Sequence, residues 1–237
     1  MPIAILSAMA EEMQLYLDTC SVRTSTERAG FAFHRANYAS HDLVLVQCGV
    51  GKVHAAMCSQ ILVDAFQADA IVCTGTAGAA HSGLDIGDLV VADDCVHHDI
   101  DVTFLGLPRG QIPFTDLRFF ETSPPLRDKA MEATLPEHTA HRGRVLTGDM
   151  FVQDADYLAQ IRRDLDGDCV EMEGAAVGQV CARNDVPYLV VRAISDRADG
   201  TSADDFQAFL HQAAETSAQV VLHLLDALDP AAVPNDL

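Results

Sequence analysis

Glu173 and Asp196 each stand just beyond a run of apolar residues. The first run ends in Glu171-Met172-Glu173, and the second, Tyr188 to Ile194, leads straight into Ser195-Asp196. Between them Ala176, Val177, Val180 and Cys181 recur at helical spacing, so Asp168 to Asp196 reads as strand, helix, strand. Pro187 opens the second strand, where a missing N–H is tolerated. Ligands of open α/β sheets bind outside the carboxyl ends of the strands, and carboxylates placed there are the residue type for proton transfer. Glu12, Thr76 and Phe151 also follow predicted strands within a few residues. If these strands share a sheet and run roughly together, their ends meet in one cleft. That cleft holds three carboxylates, one aromatic ring and the small-residue loop Gly75-Thr76-Ala77-Gly78-Ala79, with almost no basic group beyond Arg192.

The elements that must position these residues alternate along the chain. Residues 2–8 form a strand feeding a helix from about Ala10, with Glu11 and Glu12 in its first turn, where carboxylates suit the helix dipole. Strands are expected at 30–38 and 42–48, then a helix from Lys52 to about Phe66 and a buried strand from Ala70 to Thr74. Residues 87–95 and 96–104 are strand-like, and 105–124 read as a long loop or a partner-contacting segment. Further on, Leu126 to Leu135 and Ala155 to Leu165 read as helices, with a strand at Arg144 to Thr147 between them. After a flexible Arg197-to-Gly200 stretch, Ser202 and Asp205 resemble a capping box for a last helix reaching about Leu228 and stopped by Asp229-Pro230. Alternating strands and helices imply an α/β fold around a sheet that is at least partly parallel. A length of 237 residues with no repeat or linker implies a single domain over 1–237.

Composition narrows the function. Net charge is −20 with only two lysines, Lys52 and Lys129, which argues against nucleic acid or an anionic membrane as partner. The acidity fits either a high-salt setting or an acidic surface, and the latter is the simpler reading. No apolar run is long enough to cross a bilayer, and the N-terminus lacks the basic start of a signal peptide. Seven cysteines form no CxxC pair, which implies buried reduced thiols and a cytoplasmic protein.

Two local motifs have plainer readings. Gly49-Val50-Gly51-Lys52 fits neither GxGxxG nor GxxxxGK[ST], so it reads as a glycine turn before a helix. In a strand, His97, Asp99 and Asp101 would share one face, and catalytic zinc takes three protein ligands with N and O donors. No second ligand cluster accompanies them, so a polar strand or interface is preferred and no metal is expected. Ser195 is not a hydrolase nucleophile, because GxSxG is absent.

Read together, SAMAEEM (7–13), GVGKVHAA (49–56), TGTAGA (74–79), GDLVVAD (87–93), HDIDVT (98–103), GQIP (110–113), TGDMFV (147–152), VEMEGAA (170–176) and VPYLVVRAISD (186–196) carry a family resemblance. The chain resembles the 5′-methylthioadenosine/S-adenosylhomocysteine nucleosidases of the nucleoside phosphorylase superfamily. The resemblance implies a three-layer α/β sandwich with a central mixed sheet. It also implies a homodimer, with the 102–113 region near the partner's pocket, and hydrolysis of 5′-substituted adenosines to adenine without metal or organic cofactor.

By the same resemblance, Asp196 matches the general acid that protonates adenine at N7, and must carry a proton to do so. Glu12 matches the base that takes a proton from water; sequence alone does not choose it over Glu11. Glu173 matches the acceptor of the ribose hydroxyls, beside Glu171. Met172 would pack under the ribose, Phe151 would stack on adenine, and the Val152 backbone would read its edge. Thr76, Ala77 and Gly78 would line the ribose side, and Arg192 and Ser195 would help hold the acid and the water.

The chain departs from the family pattern at Thr76, where Ser is common, and at Val152, where Ile is common. Leu105 and Leu107 stand where aromatics often cover the partner's 5′-pocket, and Phe114 to Pro125 is atypical. The 5′-group is therefore open among methylthio, homocysteinyl, 5′-deoxy and aminofutalosine-type substituents. A phosphorylase of the same fold should need a basic cradle for phosphate, whereas this chain offers Glu11 and Glu12 at the first strand end. A non-catalytic nucleoside-binding module would not need a base on the water side.

Overall fold

The computed structural model describes residues 2–198 and 202–229. Apolar, β-branched runs form the strands at its centre. In chain order the elements are β1 (Ile3–Ser7), α1 (Ala10–Thr19), β2 (Ser21–Arg28), β3 (Phe31–Tyr38), β4 (His41–Gln47), α2 (Lys52–Phe66), β5 (Ala70–Ala79) and β6 (Leu89–His97). Then come β7 (Phe120–Glu121), α3 (Pro124–Met131), β8 (Ala140–Thr147), α4 (Ala155–Leu165), β9 (Cys169–Glu171), α5 (Gly174–Asn184), β10 (Tyr188–Asp196) and α6 (Ser202–Ala227).

The strands belong to one mixed sheet. From one edge the order is β2, β3, β4, β1, β5. Beyond β5 the sheet closes on itself: β5 pairs with β10, β10 with β6, β6 with β8, β8 with β9, and β9 with β5 again. Helices cover both faces. Ala55, Cys58 and Leu62 of α2 join Ala175, Val177 and Cys181 of α5 in one core cluster. Met13 and Tyr16 of α1, Leu126 of α3 and Val220, Val221 and Leu224 of α6 fill the other. Leu158, Ile161 and Leu165 of α4 pack on Val96, Leu146 and Val170 in a third. The expected mixed-sheet sandwich is what the chain forms.

Several local expectations are corrected. β2 carries no sequence signal of a strand: SVRTSTER is polar on both faces and almost wholly exposed, as befits an edge strand. Residues 75–79 are not a loop but the continuation of β5, paired to β10 and β9. Of residues 96–104 only Val96 and His97 are strand, as the end of β6. β6 ends at His97, and a short 3-10 turn at Thr103–Leu105 follows. α3 starts earlier and ends earlier than expected, because Ser123 caps it through the Leu126 N–H and prolines occupy its first positions. β8 begins at Ala140, where pairing with Leu89 fixes an unremarkable sequence as strand. The strands bearing the candidate residues do not all run together, since β9 is antiparallel to β5 and β6, parallel to β8, is antiparallel to β10. Closure of the sheet, rather than a common direction, brings their ends together. The capping side chains expected at Ser202 and Asp205, residues 199–201 and the tail from 230 lie outside the described residues.

Candidate active site

Where the closed part of the sheet meets β1, a cavity of about 350 Å³ opens. Its wall comes from Ala8 and Met9 after β1, Thr76-Ala77-Gly78 of β5, Phe151 after β8, Val170 to Glu173, and Ser195-Asp196 ending β10. Of the residues picked out from the sequence, Thr76, Ala77, Gly78, Phe151, Glu171, Met172, Glu173, Ser195 and Asp196 line it directly. Val152 is buried and borders an adjoining recess with Gly78, Phe151 and Asp196. Glu12 and Arg192 lie behind the wall, both almost fully buried.

Glu12 is held from three sides. Its Oε2 accepts the N–H groups of Ala8 (3.0 Å) and Met9 (2.9 Å), and its Oε1 accepts the N–H of Thr76 (3.0 Å) and the Thr76 hydroxyl (3.3 Å). Met9 is the residue before α1, so Glu12 occupies the third helical position and reaches back to the cap, half of a capping box. Glu11 faces solvent. That position is the signal that separates the two acids. Burial pushes the Glu12 carboxyl above its ordinary value, against the pull of Arg192 and the three N–H donors.

Close packing behind the wall explains the small residues of β5. A Cβ on Gly75 would lie 2.5 Å from Glu12 Oε1 and 2.4 Å from Arg192 Nη1. One on Gly78 would lie 2.9 Å from Asp196 Oδ1. These glycines let the backbone touch the carboxylates, which is why a strand here is written in residues that read as a loop.

Arg192 pairs with two carboxylates. Its Nη2 donates to Glu171 Oε2 and, at 3.3 Å, to Glu173 Oε2. Glu171 also accepts the N–H groups of Glu173 (3.0 Å) and Gly174 (2.8 Å) and the Thr147 hydroxyl. It therefore fills donors at the start of α5. Thr147 Oγ1 takes a further one, the Ala175 N–H, at 2.8 Å. Glu173 receives the Gly51 N–H at 2.8 Å. Burial raises the Glu173 carboxyl to about 7, with Arg192 opposing and Glu171 adding to the rise. Asp196 accepts the Ser195 hydroxyl on Oδ2 (3.0 Å) and the Ala198 N–H on Oδ1 (3.0 Å). Ser195 thus touches the acid, whereas Arg192 is directed at Glu171 and Glu173.

Some participants had no sequence signal. Gly51 read only as a turn, yet its N–H is a ligand of Glu173. Phe206 of α6 lines the cavity and meets Phe151 edge to face at 5.7 Å. Lys52 is engaged by carboxylates: its ammonium is bound by Asp99 (2.7 Å) and its N–H by Asp149 (2.8 Å). His97 and His98 are directed at Gln179 and Tyr157. No metal-binding group of His, Cys, Asp or Glu occurs among the described residues.

Residues 2–226 match the family described as the phosphorylase superfamily. A 5′-methylthioadenosine/S-adenosylhomocysteine nucleosidase of Haemophilus influenzae (strain PittEE) is 37% identical over 230 residues, 96% of this chain and 100% of that protein. The crystal structure of a nucleosidase of the same name from Colwellia psychrerythraea 34H, in complex with adenine, superposes with a TM-score of 0.93 at 35% identity, covering 98% of each chain. Futalosine hydrolase of Helicobacter pylori strain 26695 gives a TM-score of 0.90 at 33% identity, covering 96% of this chain and 98% of that one. The chain belongs to the 5′-methylthioadenosine/S-adenosylhomocysteine nucleosidase family within the phosphorylase superfamily.

Proposed function

We propose that this enzyme hydrolyses the N-glycosidic bond of 5′-substituted adenosines, releasing adenine and the free 5′-substituted ribose. The observation that carries this reading is the charge of the cavity. Glu171, Glu173 and Asp196 line it, Glu12 backs it, and no lysine or arginine is among its described lining residues. Phosphate as nucleophile would meet carboxylates instead of the cations it needs. Water and an oxocarbenium-like ribose are suited to that field.

In this reading the bond between C1′ and N9 breaks with its electron pair moving into adenine, and Asp196 gives a proton to N7, so the base leaves neutral. Water attacks C1′ and its proton passes to Glu12. The Thr76 hydroxyl, the longest of the four contacts to Glu12, is the one a water can share. Glu173 accepts the ribose hydroxyls, and Glu171 positions it through Arg192 and the start of α5. Met172 packs under the sugar, Phe151 and Val152 hold the base, and Ala77 and Gly78 flank the ribose. No cofactor takes part.

The 5′-groups in question are methylthio, homocysteinyl, 5′-deoxy and, in keeping with the futalosine hydrolase likeness, an aminofutalosine-type group. We further propose a homodimer in the cytoplasm, with the 102–113 region near the partner's pocket. Phe104 and Leu105 of that region are exposed apolar residues, and the cysteines are buried and unpaired. No helix among the described residues is long and apolar enough to cross a membrane.

The test is an assay of adenine and sugar release from methylthioadenosine, adenosylhomocysteine, 5′-deoxyadenosine and adenosine, with and without phosphate. Adenine with free sugar at a phosphate-independent rate is expected. A sugar 1-phosphate formed only with phosphate would reassign the enzyme as a phosphorylase.

A further inference from the structure

Behind the wall that carries Glu12 runs a chain of three buried hydroxyls. Tyr16 of α1 donates to Thr74 Oγ1 of β5 at 3.2 Å. Thr74 Oγ1 lies 2.8 Å from Ser217 Oγ of α6, and Ser217 Oγ lies 3.2 Å from the Val191 carbonyl of β10. All three side chains are essentially inaccessible to solvent. Because Tyr16 is the donor at one end and a carbonyl the acceptor at the other, one direction of donation satisfies every hydroxyl: Tyr16 to Thr74 to Ser217 to Val191. Ser217 Oγ keeps a lone pair, and this accepts the Gly75 N–H at 3.3 Å.

Gly75 is the residue packed directly between Glu12 and Arg192, and the next N–H along the strand, that of Thr76, is the one donated to Glu12. Ser217 therefore ties together the two strands that carry the surroundings of Glu12. It does so from α6, whose other end sets Phe206 against Phe151 over the cavity.

We infer that Ser217 is a positioning residue for Glu12, holding the Gly75-Thr76 backbone at the place where it orients the carboxylate toward the cavity. The inference rests on the nucleosidase reading of the site. It concerns turnover more than substrate binding, because Ser217 touches no cavity-lining side chain among its hydrogen-bond partners. Glu12 faces Arg192 from β10, Tyr16 from its own helix, Cys73 from β5 and Glu173 at the start of α5. Loosening the Thr76 N–H removes one of the influences that hold the Glu12 carboxyl down.

The experiment compares Ser217→Ala, Thr74→Val, Thr74→Ser and Tyr38→Phe with the wild type by steady-state kinetics across pH and by thermal melting. Tyr38 also hydrogen-bonds α6, through Asp226 at 3.2 Å, but remote from Gly75. Ser217→Ala should lower kcat by about tenfold or more while KM stays within about threefold, and the acidic limb of kcat should move to higher pH. Thr74→Val should follow in the same direction, and Thr74→Ser, which keeps the hydroxyl, should recover the wild-type profile. Tyr38→Phe should leave kcat and the profile unchanged whatever it does to Tm. A lower Tm in Ser217→Ala with wild-type kcat and acidic limb would overturn the inference, leaving Ser217 a packing residue. Should Ser217→Ala fail to fold, Thr74→Val decides on the same readouts. Wild-type protein that releases no adenine would instead sink the nucleosidase reading, before any variant is compared.

Discussion

The backbone N–H of Gly51 donates to Oε1 of Glu173 at 2.8 Å, joining residues 122 positions apart. The glycine turn before α2 is therefore part of the carboxylate cluster. Gly51 has a φ of +103°, and a Cβ there would lie 3.1 Å from Asp149 Oδ1. Gly51→Ala should consequently cost about 1–3 kcal/mol of stability and lower kcat/KM by displacing the N–H from Glu173. Denaturant unfolding with parallel kinetics checks both. Unchanged kcat/KM in a destabilised variant would show that the N–H contact does not position Glu173 for substrate.

Glu12 and Asp196 have different tasks, and the difference is measurable. Glu12→Gln and Asp196→Asn should each lower kcat by the roughly 10²–10⁴-fold typical of a lost acid or base. A substrate methylated at N7 already carries the positive charge that Asp196 would supply. Asp196→Asn should therefore recover much of its rate on the methylated substrate, and Glu12→Gln should not. Equal recovery in both variants would contradict the assignment of acid and base.

Glu173 gives the site a pH dependence of definite sign. Its folded value near 7 lies above the ordinary 4.5, so the folded chain binds the proton more tightly than the unfolded one. The stability it contributes is complete below about pH 4.5 and is lost as pH rises through about 7. Glu12, also raised by burial, acts in the same sense. Ribose binding runs the other way, since the ionised carboxylate accepts two hydroxyl donors. KM should rise as pH falls below 7. Glu173→Gln should flatten both trends, as read by denaturant unfolding at pH 5 and 8 and by KM across the same range. A wild type equally stable at the two pH values would contradict the shift.

How much of this was legible beforehand depends on whether the signal was local. β1 and β10 announce themselves as apolar runs, and the placement of Glu173 and Asp196 after such runs marked the cleft. β2 gave no signal because neither of its faces is buried. The second half of β5 looked like a loop because the close approach of Gly75 to Glu12 and of Gly78 to Asp196 demands residues that otherwise mark turns. Glu12 could have been separated from Glu11 by its place three residues after the cap. Gly51, Phe206 and Ser217 could not have been found, because each acts through a partner far away in the chain.

Arg192 is the counter-charge for the whole cluster, and its loss should be felt differently at different pH. The guanidinium is 1% exposed and pairs with Glu171 and Glu173 while lowering the Glu12 carboxyl. Glu171 and Glu173 line the cavity with Asp196. Arg192→Met would leave Glu171 and Glu173 as buried charges without compensation, a change that typically costs about 3–5 kcal/mol. At pH 5 Glu173, whose carboxyl burial raises to about 7, takes up a proton instead, so the loss should be smaller there than at pH 8. Arg192→Lys keeps the charge but not the planar fork that spans two carboxylates, and should fall between wild type and Arg192→Met. Unfolding free energies at both pH values provide the check. An equal loss at pH 5 and pH 8 for Arg192→Met would mean that the side chain matters for packing and not for charge.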